Sequence, residues 1–356
     1  MTLSVFPLEP RETPATLIIN GPFAEQFALG GVGPGATGRL VRAQADGSLV
    51  TDLSVVPYPG FGGEVRVARG DVTGDGRVDL ITAAGPGGGP HVKVFDGVSG
   101  LEVRSFFAYA PAFLGGVNVS AGDFTGDGVA DIVTGAGAGG GPHVRVFNGV
   151  DSFPYTSFFA FDPRFTGGVS VAAGEVNLDG IADIAVGAGS GAGPHVRVFS
   201  GFNLTELQSF YAFDPTNRRG LNVAFGDVNG DNRADLVTTF AGPQPPPARR
   251  LELVSAGTTA TTPTGVVFIT QNSTVPSQFT RTLDVFVGSS VSTFTGGVRV
   301  GTADVDGDGR SDVIFATGPG GSVMRVELGR DLTAGTLAGV PVFIDTREGT
   351  GGLFVG

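Results

Sequence analysis

Asp71, Thr73, Asp75 and Asp79 place four oxygen-bearing side chains at positions 1, 3, 5 and 9 of one short loop within GDVTGDGRVDL. The same offsets return at Asp123, Thr125, Asp127 and Asp131, then at Glu175, Asn177, Asp179 and Asp183, then at Asp227, Asn229, Asp231 and Asp235. A fifth set is Asp304, Asp306, Asp308 and Asp312. Position 6 is Gly76, Gly128, Gly180, Asn232 or Gly309, residue types that accept a left-handed backbone cheaply and let the chain fold back round a centre. An all-oxygen, carboxylate-rich set without His or Cys selects a hard cation. Calcium is expected over magnesium, because the cage would be nearly all protein. It would include a bidentate Asp at position 9 and the position-7 carbonyl of Arg77, Val129, Ile181, Arg233 or Arg310. The logic is that of an EF-hand loop, with the last ligand at position 9 and strands as flanks.

The competing reading is a set of Asp-Gly turns on a solvated rim. Turn chemistry alone asks for neither an oxygen at position 3 nor an acid at position 9 in every copy. Charge agrees with the cage. The loops concentrate acids in a chain of net charge −12, and five divalent cations would bring it close to neutral. The third loop is expected to be the weakest, with Glu175 for Asp and Leu178 for Gly. The N-terminal unit has NGPFAEQ at this place and is expected to bind nothing.

The loops recur in phase with everything around them. The first four begin at 71, 123, 175 and 227, a constant step of 52 residues, and the fifth begins later, at 304. GPHVKVF at 89 returns as GPHVRVF at 141 and 193, and SFFAYAPAFLGG returns as SFFAFDPRFTGG. Each unit reads as four short strands: an alternating V-x-V before the loop, an apolar run after it, H-V-x-V-F and F-F-A-F. Repeated four-stranded units are the pattern of an all-β propeller, in which stacked blades cover one another's faces. A chain with 61 Gly suits many short strands and tight turns.

The expected organisation is an N-terminal segment, 1–15, and one propeller domain, 16–356. Six antiparallel blades are expected: 16–60 with 351–356, then 62–113, 115–165, 167–217, 219–294 and 296–348. GGLFVG at the C-terminus would give the N-terminal blade its first strand and close the ring; alternatively ATLIIN would be that strand. The extra length of the fifth unit is assigned to an insertion, 256–283, read as an exposed loop with one added strand at GVVFIT. It is either a binding feature or a tolerated insertion.

Other chemistries find little support. There is no Cys for a disulfide or thiolate site. No run of 18 apolar residues marks a membrane helix, and the first twenty residues lack the basic and apolar regions of an ordinary signal peptide. The negative charge argues against nucleic acid. His91, His143 and His195 share one repeat position, so a ring would spread them apart, and a structural role at a strand start is expected. GPGGGPHVK lacks the G-K-[ST] end of a phosphate loop, and no nucleophile elbow occurs. Phe, at 28 copies, is expected to pack blade against blade. No catalytic residue is expected.

GGVNVSAGDFTGDGVADIVTGAGAGGGPHVRVF resembles the FG-GAP/VCBS-type repeat of the integrin α-subunit propeller. Gly-Gly stands here for its Phe-Gly, and GAG or AAG for its Gly-Ala-Pro. The resemblance covers roughly 60–356, and more weakly 16–60. It implies calcium in hairpin loops on one propeller face, an extracellular or cell-surface location, and adhesion or ligand binding. Lectin-like and enzyme-appended propellers share these repeats, so a carbohydrate-binding lectin and a polysaccharide lyase or hydrolase remain alternatives. LEPRETPAT resembles an N-terminal segment of exported planctomycete proteins. A monomer with a protein or glycan ligand is expected.

Overall fold

The computed structural model describes residues 25–43, 49–241, 266–270, 277–281, 298–317, 324–329 and 354–355. They form small antiparallel sheets arranged as a β-propeller. The first sheet holds β1 (Phe27–Gly30), β2 (Gly38–Ala43) and β3 (Leu49–Val55). The second holds β4 (Val65–Gly70), β5 (Asp79–Ala84), β6 (His91–Phe95) and β7 (Glu102–Phe107). The third holds β8 (Val117–Gly122), β9 (Asp131–Ala136), β10 (His143–Phe147) and β11 (Pro154–Phe159). The fourth holds β12 (Val169–Gly174), β13 (Asp183–Ala188), β14 (His195–Phe199) and β15 (Glu206–Tyr211). The fifth holds β16 (Leu221–Gly226), β17 (Asp235–Phe240), β18 (Val266–Thr270) and β19 (Ser277–Arg281). The sixth holds β20 (Val298–Ala303), β21 (Asp312–Thr317) and β22 (Met324–Glu327). A last strand, β23 (Phe354–Val355), joins the first sheet beside β1.

Five sheets therefore have the four strands of a complete blade, where six were expected; the remaining sheet has three among the described residues. The first strands of successive sheets lie side by side, β4 against β8, β8 against β12, β12 against β16 and β16 against β20. β23 touches both β20 and β4. It pairs with β1 through Leu29↔Val355 and Gly30↔Phe354, so in this sheet the C-terminal strand precedes the N-terminal one. ATLIIN lies outside the described residues.

Burial follows strand position. The second strands DLITAA, DIVTGA and DIAVGA are buried along their whole length, which explains their unbroken apolar and small residues: a neighbouring sheet covers each face. The outermost strands β7, β11 and β15 end in an exposed, half-buried, exposed alternation. The core lies between sheets. Ile81, Val92 and Val94 of one pack with Val117, Ile132 and Phe147 of the next. Close approach towards the axis excludes side chains there: a Cβ on Gly122 would stand 2.8 Å from Ala182 Cβ.

The 256–283 insertion is corrected. GVVFIT does supply a strand, but β18 is the third strand of its blade, paired with β17, and β19 is the fourth. The pattern was hidden because this unit lacks the GPHV and SFF markers of the others. The intervening length lies mainly earlier, at 241–265, where 85–90 suffice in the second sheet.

Candidate metal centre

Each acidic loop joins the first strand of a sheet to the second, and the position-9 acid opens that second strand. Pairing of Gly70 with Asp79, Gly122 with Asp131, Gly174 with Asp183, Gly226 with Asp235 and Ala303 with Asp312 fixes those acids. All five are buried. The expected residues thus gather loop by loop, in five separate hairpins.

Position 1 organises the turn. Asp71 Oδ1 accepts hydrogen bonds from the Gly74 and Asp75 N–H groups at 2.7 and 3.2 Å, and Oδ2 accepts from Gly76 N at 2.7 Å. Asp123, Asp227 and Asp304 repeat this set. Glu175, with its longer arm, accepts from Asn177, Leu178 and Gly180 N–H groups. At position 5, Asp75, Asp127, Asp179, Asp231 and Asp308 each accept the N–H of position 7, from Arg77, Val129, Ile181, Arg233 and Arg310. Gly74 and Gly76 have φ of 73° and 81°; Leu178 takes 62° where the other loops have Gly, a strained choice for a side chain.

Position 9 ties the loop to the far turn of the same sheet. Asp79 Oδ2 accepts from Val72 N and Thr73 N, and Oδ1 accepts from Gly97 N, all at 2.9 Å. Gly149, Gly201 and Gly329 donate likewise to Asp131, Asp183 and Asp312. Three N–H groups leave the Asp79 carboxylate one lone pair, on Oδ1. That geometry fits ligation through one oxygen rather than the bidentate contact expected.

Electrostatics marks the same residues. Burial, with Asp231 adding repulsion, pushes Asp235 up to about 8. Burial pushes Asp312 to about 8, with Asp306 and Asp308 adding repulsion, and Asp183 to about 6. Asp79 and Asp131 are raised by burial as well. Burial disfavours the charged form of these carboxylates, and a counter-cation would relieve that cost.

Position 3 divides the loops. The Thr73 and Thr125 hydroxyl oxygens are buried beside Asp79 and Asp131 and make no hydrogen bond of normal geometry. In the fifth loop, carboxylate oxygens of Asp304, Asp306 and Asp312 lie within 4.8 Å of one another. These three loops fit a hard cation. In the third and fourth, the Asn side chain takes the centre itself: Asn177 Nδ2 donates to Asp183 at 3.4 Å, and Asn229 Nδ2 to Asp231 and Asp235 at 3.2 and 3.4 Å. A half-turn of either amide exchanges donor for acceptor. The first-sheet counterpart is also visible: Glu25 N donates to Asp304 O as Ala130 N does to Asp71 O, which puts Gln26 where the other units have their last acid.

A second repeated cluster escaped sequence reasoning. His91, His143 and His195 donate or accept through Nε2 at Ser105, Ser157 and Ser209, at 2.9, 2.7 and 2.9 Å. Each ring packs against an outer-strand aromatic, Phe107, Phe159 or Tyr211, at 4.8, 4.7 and 4.7 Å. About half of each of those aromatics is exposed. The fixed His-to-Ser and His-to-aromatic intervals in the repeat were the available signal. Burial lowers the pKa of each histidine.

No protein-family model matches the chain, and no curated protein does. Among solved structures it is similar to the computationally designed Ika8 protein, crystal packing No. 1 in P63, at 14% identity and a TM-score of 0.35. That similarity covers 61% of this chain and 53% of the designed one, about half its length. Among the described residues no helix is long and apolar enough to cross a membrane.

Proposed function

We propose that the chain is a calcium-stabilised propeller of FG-GAP/VCBS type, closed through β1 and β23, that works as a non-catalytic interaction or adhesion module outside the cytoplasm. The observation that carries the metal reading is the fifth loop. Three carboxylates share one small space, two of them buried, and a cation between them would relieve the repulsion of like charges so placed. Asp304, Asp306 and Asp312 would hold it there; Asp71, Thr73, Asp75 and Asp79, and Asp123, Thr125, Asp127 and Asp131, would do so in the first two loops. Bound calcium supplies positive charge to buried carboxylates and so ties each first hairpin to the far turn of its blade. Loops of extracellular modules bind calcium at about 10⁻⁴–10⁻³ M, which favours a calcium-rich compartment. The net charge of −12 speaks against a nucleic-acid partner.

The test is direct. The metal-stripped chain is titrated with calcium while melting temperature and bound metal are followed. Each filled loop is expected to add about 2.7 kcal/mol at a hundredfold excess over its Kd. No bound calcium and no change in melting temperature would reduce the loops to turns.

The exposed aromatics Phe107, Phe159 and Tyr211 favour a second reading, a carbohydrate-binding propeller, since each offers a flat apolar face beside His and Ser hydrogen-bonding groups. A glycan array separates the two: glycan signal lost on replacing these rings by Ser supports a lectin, and an empty array supports a protein ligand.

A further inference from the structure

Neighbouring loops are built into one another. The position-1 carbonyl of each loop accepts a hydrogen bond from the N–H that precedes the position-9 acid of the next. Ala130 N donates to Asp71 O at 2.7 Å, Ala182 N to Asp123 O at 2.8 Å, Ala234 N to Glu175 O at 2.7 Å and Ser311 N to Asp227 O at 2.6 Å. One residue thus offers its carboxylate to its own loop and its carbonyl to the N–H just before the neighbour's last acid.

A second contact runs beside the first. The position-7 side chain of one loop lies over the position-4 glycine of the loop before it. A Cβ on Gly74 would stand 3.2 Å from Val129 Cγ2, one on Gly126 3.0 Å from Ile181 Cδ1, and one on Gly230 3.2 Å from Arg310 Nε. At the third junction Leu178 replaces the glycine, and Arg233 instead donates through Nη1 to Val176 O at 2.9 Å. Position 7 is also the residue whose carbonyl is expected to serve the cation. Each loop's first ligand is therefore hydrogen-bonded to the residue between its neighbour's last two, and at three junctions its position-4 glycine packs against the neighbour's position 7.

We infer that the loops fill with calcium as a coupled, nearest-neighbour array, each occupied loop raising the calcium affinity of the loops beside it. This rests on the calcium reading above. The physical reason is shared ordering: fixing the position-1 backbone in one loop also fixes the segment that carries position 9 in the next, so the second binding event orders less chain. Through-space electrostatics has the opposite sign. A loop left empty keeps its negative charge and attracts calcium to its neighbours, whereas a filled one does not. The sign of the effect therefore separates structural coupling from charge.

The experiment follows the amides of Gly76, Gly180 and Gly309 by ¹H–¹⁵N NMR while calcium is added to the full chain and to its Asp127→Asn variant. Asp127 is exposed, so loss of its negative charge leaves the core intact. The expected result is a calcium midpoint at Gly76 raised about five-fold or more in the variant, with Gly309, three loops away, unchanged. In the unaltered chain Gly76 and Gly128 are expected to respond over one common, steepened concentration range. An unchanged or lowered Gly76 midpoint overturns the coupling and leaves the calcium reading standing. If no glycine amide of the unaltered chain responds to calcium, the calcium reading itself falls. Should Asp127→Asn unfold, Ile181→Ala, which strips the packing from Gly126 and keeps every ligand, is expected to separate the Gly128 and Gly180 midpoints; unchanged midpoints would overturn the coupling.

Discussion

Replacing Tyr109 by Phe removes one buried hydroxyl at a blade junction. Tyr109 follows β7 and reaches the next sheet, where its O–H faces His143 O at 2.9 Å, Thr134 O at 3.1 Å and Thr134 Oγ1 at 3.2 Å. Tyr58 does the same with Thr82 and His91 O one blade earlier. A single O–H donates one proton, so the loss is that of one shared hydrogen bond inside the core, about 1–2 kcal/mol. The melting temperature is expected to fall by about 2–4 °C. The next junctions supply natural controls. Phe161 stands where Tyr109 does, and Val186 where Thr134 does, so both side-chain hydroxyls are absent together. At the following junction Phe213 faces the threonine position again, and Thr238 Oγ1 is buried without a hydrogen bond. Phe213→Tyr is therefore expected to stabilise the chain by about 0.5–1 kcal/mol, the opposite sign. Equilibrium urea denaturation at saturating calcium measures both. Tyr109→Phe combined with Thr134→Val is expected to cost less than the two singles added, by about 0.5–1 kcal/mol. An unchanged urea midpoint for Tyr109→Phe, or full additivity in the double variant, would refute the hydroxyl as a joint between blades.

Calcium-free protein is expected to lose stability as pH rises from about 4 to 8. The unfolded carboxylates titrate near 3.9, and the folded values of Asp183, Asp235 and Asp312 lie above that, at about 6, 8 and 8. Folding then binds protons, so this stability is present below the unfolded pKa and lost through the folded one; calorimetry across pH with chelator should show the decline and excess calcium should remove it. Gly116→Ala is expected to destabilise by about 2 kcal/mol or more, because φ is 77° and the new Cβ would stand 2.5 Å from Gly85 C; an unchanged urea midpoint would show the seam to be loose. Leu178→Gly is expected to gain about 0.5–1 kcal/mol by relieving a left-handed leucine, read as a higher melting temperature in chelator.

The repeat by itself determined a great deal. Fixed offsets at 71, 123, 175 and 227 identified the loops, and alternation around them identified the strands, because both are local signals written in neighbouring residues. The same alignment placed the acids of each loop together. It expected a strand at GVVFIT, but β18 and β19 carry none of the repeat's marker residues, and only pairing with β17 gives them their place as third and fourth strands. It ranked the third loop weakest from Glu175 and Leu178. The structure adds that Glu175 accepts from positions 3, 4 and 6 of its loop, and that the amides of Asn177 and Asn229 set two loops apart. Only the tertiary structure decided which loop touches which. The bond from Ala130 to Asp71, like that from Glu25 to Asp304, joins residues on different sheets. No spacing along one unit encodes such a bond; stacking the sheets creates it.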